Sequence, residues 1–305
     1  MDLQRLRALH AVGVHGSVSA AAEALHVTAS AVSQQLAKLQ QEAGQPLLRP
    51  VGRGVRLTGA GELLARHAER ILSAVTEAEA DLEAYHGAIV GTLTLAAFAT
   101  AARELAPGAL RALCDDHDRL RVELRETEPH EAVALVVRGD VDVAIVDDWF
   151  NAPLAVPDTL AREPLCDDVA DIALPADHPL ATRRTVGLDA LQDQSWITWP
   201  AGSICHDWLL HTLRGSGSEP RVAHTAMEHA TQLALVAAGL GAAVIPRLGR
   251  GPVPAGVCIV PVVPALTRRI SAISRRDAAH RPAIRAAVEA LRTAASTAPV
   301  SEPRG

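Results

Sequence analysis

The sequence predicts a two-part protein: a small helical head closed by a β-hairpin and a long helix, then an α/β body. Three observations carry this. Apolar residues recur at helical spacing from Leu3 to Tyr85, interrupted once by a glycine-rich extended stretch. From Leu93 onward, short strand-like runs alternate with helical ones. Charge is uneven too: Met1 to Thr58 holds Arg5, Arg7, Lys38, Arg49, Arg53 and Arg56 against Asp2, Glu23 and Glu42, although the 305-residue chain carries a net −6. A hydrophobic content of 49% supports real cores and excludes a disordered chain.

In the head, Leu3, Leu6, Leu9 and Val12 predict a first helix over 2–14, closed by Gly13 and Gly16. Ser19 is the expected N-cap of a second helix through Leu25, and His26-Val27 the turn. Thr28 caps a third helix to Glu42, stopped by Gly44 and Pro46. Two short arms over 46–57, with Arg53 at the tip between them, read as a β-hairpin wing. Thr58 begins a helix to Tyr85. Its stripe of Leu64, Ala68, Ile71, Val75, Ala78, Leu82 and Tyr85 alternates spacings of four and three, a heptad pattern. Charged flanks favour a dimer seam over a helix resting on its own core.

In the body, strands are expected at Leu93–Phe98, Leu120–Glu126 and Val141–Val146, with helices over 102–117 and 131–138 between them. The pattern resumes with strands at 169–174, 195–198, 221–225, 242–245, 259–263 and 270–274, and with helices over 228–239 and 282–297. Alternation of this kind implies a parallel sheet. Gly215 to Ser218 is a loop and not a phosphate cradle, because it joins no strand to a helix.

Several chemistries lack their residues. Cys114, Cys166, Cys205 and Cys258 are widely spaced, so buried reduced thiols are expected. His206 with His211, and His224 with His229, have a spacing poor for one helical face; no metal is expected. No nucleophile elbow or other catalytic constellation stands out, so no enzyme activity and no cofactor are expected. The most apolar stretch, Leu233 to Ile245, is broken by glycines and too short for a membrane span, which points to a cytoplasmic protein with no membrane partner.

The third helix raises the sharpest question. At 100° per residue Val32, Leu36 and Leu39 share one sector, while Ser30, Ser33, Gln34, Ala37 and Gln41 lie opposite. That opposite face is small, polar and almost uncharged. Ser and Gln both donate and accept hydrogen bonds, which suits base edges in a major groove. Thr28 and Ser30 near the helix start suit a phosphate, and Arg53 a flanking minor groove or backbone. The alternative is a plain helical bundle with a polar outer face.

The stretch from Leu6 to Leu64 resembles the winged helix-turn-helix of LysR-type transcriptional regulators. The match lies in the "GS-S-AAE-LHVT-SAVS-Q---L" core, the "G-PLL-R-GR-VRLT-AG" wing and the helix that follows. "GTLTLAAFATAARELAP", "EPLCDDVADIALPADHPLA" and "LVAAGLGAAVIP" resemble that family's effector domain. The likeness implies a DNA-binding domain over 1–58, a linker helix over 59–88 and an effector domain over 89–298. The last would be periplasmic-binding-protein-like, with lobe I over 89–161 and 268–298 and lobe II over 162–267. The implied DNA contacts are Thr28, Ala29, Ser30, Ser33, Gln34, Lys38 and Arg53. The implied dimer seam is Leu64, Ile71, Val75, Ala78 and Leu82. In such lobes ligands sit outside the carboxyl ends of strands. That rule selects Thr100, Ala101, Thr127, Asp148, Trp199, Ala201, Thr225, Met227 and Pro246, with Trp196 and Trp208 in the core instead. The expected partners are operator DNA, a small-molecule effector, a second copy in a homodimer that pairs into a tetramer, and RNA polymerase. Two departures matter: Ala29 stands where the family often has Gln, and Leu48 where it often has Phe. The first shifts readout toward Ser33 and Gln34. The rivals are an α/β enzyme with a helical accessory domain and a solute-binding protein.

Overall fold

The computed structural model describes residues 2–51, 54–86, 89–217 and 219–298. It divides into two compact units, Met1–Tyr85 and His86–Gly305.

In the first unit α1 (Leu3–His15) starts at Asp2, whose carboxylate accepts from the Gln4 amide at 2.8 Å. It ends at Gly16 in the left-handed region, φ 72°; Gly13 lies inside the helix, where it faces Leu57. The cap of α2 (Val18–Ala24) is Ser17 rather than Ser19. Its hydroxyl accepts from the Ala20 amide, so the first orphan NH groups find a partner two residues earlier than expected. The turn follows, with His26 at φ 53°. Thr28 caps α3 (Ala29–Ala43), accepting from the Ala31 amide at 3.1 Å, and Gly44 closes it at φ 67°. The three helices bury Leu6, Leu9, Val12, Ala21, Val32, Leu36 and Leu39 in one core.

The wing is an antiparallel pair, β1 (Leu48–Val51) with β2 (Gly54–Leu57). Arg53 lies outside the described residues. The Gln40 side chain fixes the wing's root by accepting from the Leu47 and Leu48 amides at 2.9 and 3.1 Å. Thr58 then caps α4 (Gly59–His86), accepting from the Gly61 amide at 3.0 Å. Gly61 has to be glycine: a Cβ there would overlap the Leu47 carbonyl.

The second unit is built on a nine-stranded sheet that is mixed, not parallel. Its first half is parallel: β3 (Gly91–Ala97) lies between β4 (Leu120–Glu126) and β5 (Val143–Trp149). Its second half is also parallel: β7 (Ser195–Thr198) lies between β8 (Arg221–Thr225) and β9 (Ala242–Pro246). Two antiparallel strands weld these halves, β6 (Leu160–Pro175) and β11 (Leu266–Arg275), while β10 (Val257–Val260) pairs with the far end of β6. The expectation of a parallel sheet failed because each half closes with a chain that crosses over and returns. Those crossing strands must run against their neighbours. β6 begins nine residues before the expected strand, through Pro164, which sits opposite Ser271 where the register shifts. Proline is tolerated at such an irregularity.

Helices cover the sheet: α5 (Ala99–Glu104), α6 (Ala106–Asp116), α7 (Pro129–Arg138), α8 (Ile204–Gly215), α9 (His229–Ala237) and α10 (Pro282–Thr297). The single helix expected over 102–117 is two, meeting at Leu105. α8 was not expected at all. Trp196 and Trp208 are buried as anticipated, with Trp208 stacked on Trp149 at 3.5 Å between ring centroids. Among the described residues no helix is long and apolar enough to cross a membrane, and no cluster of three His, Cys, Asp or Glu is placed to hold a metal.

Candidate nucleic-acid interface and ligand cavity

On α3 the sequence dictates a split surface and the fold delivers it. Val32, Leu36 and Leu39 are at most 2% exposed, and the hydrophobic effect holds them against α1 and α2. Thr28, Ala29, Ser30, Ser33, Gln34, Ala37 and Lys38 are all exposed. None of the Ser30, Ser33 and Gln34 side chains is spent on another part of the protein among the described residues. Arg5 pairs with Glu42, whereas Lys38 stands exposed beside the uncharged face. A helix of this kind can approach a polymer closely and exchange hydrogen bonds with it.

Along α4 the heptad stripe divides. Leu64 and Ala68 pack into the core of the first unit, Ala68 at 0% exposure. Ile71, Ala78 and Leu82 are exposed, and Val75 is half-buried. Only the start of the stripe is therefore spent on the first unit's own core.

In the second unit a cavity of about 260 Å³ opens where the carboxyl ends of β3, β4 and β5 face those of β7 and β8. Of the sequence-selected residues, Thr100, Trp199 and Met227 line it. The others do not. Ala101 is buried inside α5 and Pro246 at the end of β9. Thr127 is buried behind the wall. Asp148 is turned to a second cavity and paired with Arg162. Ala201 and Thr225 are exposed outside the lining.

The cavity also draws in residues that strand and helix patterns did not single out. Arg268, from β11, is 3% exposed and lies between Asp147 at 3.0 Å and Asp168 at 2.8 Å. Its guanidinium also lies 5.4 Å from the Phe98 ring centroid. Burial pushes the Asp147 carboxyl up, against the pull of Arg268. Burial likewise raises Glu128, helped by Asp147 and Glu126. His229 is buried at the start of α9 with its ring edge-on to Trp199. Burial, then Arg268, Arg103 and Arg250, lower its pKa to about 3, so the ring is neutral. Cys205 is held as a thiol by burial, reinforced by Asp147. The arginine pair Arg268-Arg269, next to the apolar Ile270, Ala272 and Ile273, was the available signal for the buried ion network.

Two family models match the chain. Residues 3–62 match the bacterial regulatory helix-turn-helix protein of the lysR family, and residues 86–296 match the LysR substrate binding domain. The chain belongs to the LysR family. It is a LysR-type transcriptional regulator, pairing a DNA-binding helix-turn-helix with an effector-binding domain. A probable RuBisCO transcriptional regulator of Trichormus variabilis is 30% identical over 246 residues, 80% of this chain and 72% of that one. Among solved structures, full-length OxyR from Pseudomonas aeruginosa superposes with a TM-score of 0.71 at 22% identity, covering 99% of this chain and 97% of that one. Full-length CbnR in complex with its target DNA superposes with a TM-score of 0.56 at 24% identity, covering 96% and 100%. These structural likenesses concern the fold.

Proposed function

We propose that this LysR-type regulator lays α3 in the major groove of operator DNA and reads bases through Ser33 and Gln34. Thr28, Ser30 and Lys38 hold the phosphates, and Ala29 lets the backbone approach. Arg53, which follows the first wing strand in sequence, is the expected contact to the flanking groove. The observation that carries this reading is the exposed, uncharged face of α3 opposite its buried apolar sector. Two copies pair along 59–88 through Ile71, Val75, Ala78 and Leu82, and dimers associate into a tetramer that engages RNA polymerase. A small molecule in the 260 Å³ cavity, touching Thr100, Trp199 and Met227, shifts the balance between arrangements of the dimers on DNA. It does so only to the extent that it prefers one arrangement. The protein works in the cytoplasm and catalyses no reaction; the effector domain spans 89–298, in two lobes.

Fluorescence anisotropy of the full chain with a duplex from its own upstream region tests this. Affinity should exceed that for a random duplex, and should fall steeply between about 50 and 200 mM salt as phosphate contacts release counterions. Equal affinity for both duplexes would contradict the reading.

A further inference from the structure

The cavity carries both signs of charge. The carboxylates of Glu126, Glu128 and Glu228 line it, the first and last exposed, and none has an ion-pair partner among the described residues. Glu128 is the half-buried member, and the charge nearest it is negative, from Asp147 and Glu126. His229, 6% exposed, and Arg103 also line it. The His229 Nδ1 is buried without a hydrogen-bond partner. The fields acting on it are those of Arg268, Arg103 and Arg250. Arg268 is already committed to Asp147 and Asp168. Arg103 donates to the Gly249 carbonyl at 3.0 Å and lies 3.7 Å from the Glu104 carboxylate, and its half-exposed side chain keeps further N–H groups for a ligand. The lining also includes the apolar Phe98, Trp199, Ile204 and Met227.

A simple anion would meet the half-buried Glu128 carboxylate, on which Asp147 and Glu126 also act, and a simple cation would meet the positive field of Arg268, Arg103 and Arg250 at His229. Buried polar groups without partners are costly, so a ligand that answers both is favoured. At about 30 Å³ per water, 260 Å³ holds roughly nine waters, or a molecule of about that many non-hydrogen atoms. We infer that the effector is a small zwitterion of α-amino-acid size. Its ammonium group sits against Glu128, its carboxylate takes donors from Arg103 and His229, and an apolar side chain packs on Trp199 and Met227. This rests on the reading of the cavity as the effector site.

The test uses thermal unfolding and calorimetric titration of the full chain with the standard α-amino acids. Each binder is then compared with the carboxylic acid lacking its amine and the amine lacking its carboxylate. At least one amino acid should bind, and removal of either charged end should weaken binding roughly tenfold or more, as expected for a charge-assisted hydrogen bond. Glu128→Gln should weaken the amino acid by a similar factor and leave the amine-free acid unaffected, which a merely structural role for Glu128 would not produce. Binding by no α-amino acid, or equal binding by the amine-free acid, overturns the inference. Met227→Trp fills the cavity from an exposed position and separates the two readings. If a simple acid binds and this variant abolishes it, the cavity stands as effector site and the zwitterion does not. If binding survives the variant, the effector site lies elsewhere.

Discussion

Ser33, Gln34 and Lys38 are exposed on α3; in the proposed function the first two go to bases and the third to phosphate. The two kinds of contact fail differently. Lys38→Ala should weaken binding to every duplex alike and reduce the slope of log affinity against log salt by about 1. A change confined to one operator base would contradict its assignment to the backbone. His229 makes a second prediction at this scale. Its folded pKa, about 3, lies below the ordinary 6.5, so protons bind the unfolded chain first as pH falls. Its contribution to stability is complete above about pH 6.5 and is lost progressively toward pH 3, by up to about 1.4 kcal/mol per pH unit. His229→Gln should therefore flatten the acid limb of denaturant-measured stability between pH 6.5 and 5; an unchanged slope would place the titrating group elsewhere. Cys205, kept protonated by burial and by Asp147, should react with maleimide far more slowly than the exposed Cys114, as peptide mass spectrometry would report.

At the scale of elements, α4 changes its surroundings along its length. Its first turns complete the core of the first unit through Leu64 and Ala68, and later turns present Ile71 and Leu82, 40% and 63% exposed. Ile71→Asp should shift the protein toward monomer in sedimentation without lowering the melting temperature of the DNA-binding unit. Gly61→Ala should do the reverse, costing about 1–3 kcal/mol through overlap with the Leu47 carbonyl. Most elements were legible because their signals are local. α3 announces itself by Thr28, its apolar sector and Gly44, and β4 and α10 end where the sequence places them. The failures have non-local causes. The first half of β6 carries Arg162, Glu163 and Pro164 and becomes a strand only because β11 lies beside it. β5 runs on through Asp147 and Asp148, charged residues that Arg268 and Arg162 neutralise from other strands. α8 is different: Ser203 followed by Ile204, Trp208, Leu209 and Leu213 was a readable helix start and stripe.

At the scale of the molecule, the cavity shows how far a strand-end rule reaches. It located Thr100, Trp199 and Met227, because those positions follow from topology alone. It could not anticipate that β11 sends Arg268 into the same place, or that α9 brings His229, since both depend on how the two halves of the sheet are welded. The central claim for the whole protein remains that α3 reads base edges with its uncharged face. The most direct measurement is the affinity of the wild-type chain and of Gln34→Ala for every single-base variant of the operator. The account predicts that Gln34→Ala loses discrimination at one or two adjacent positions, by about 1–3 kcal/mol each, and keeps it elsewhere. Undiminished discrimination at every position, or an equal loss on all duplexes, would contradict it.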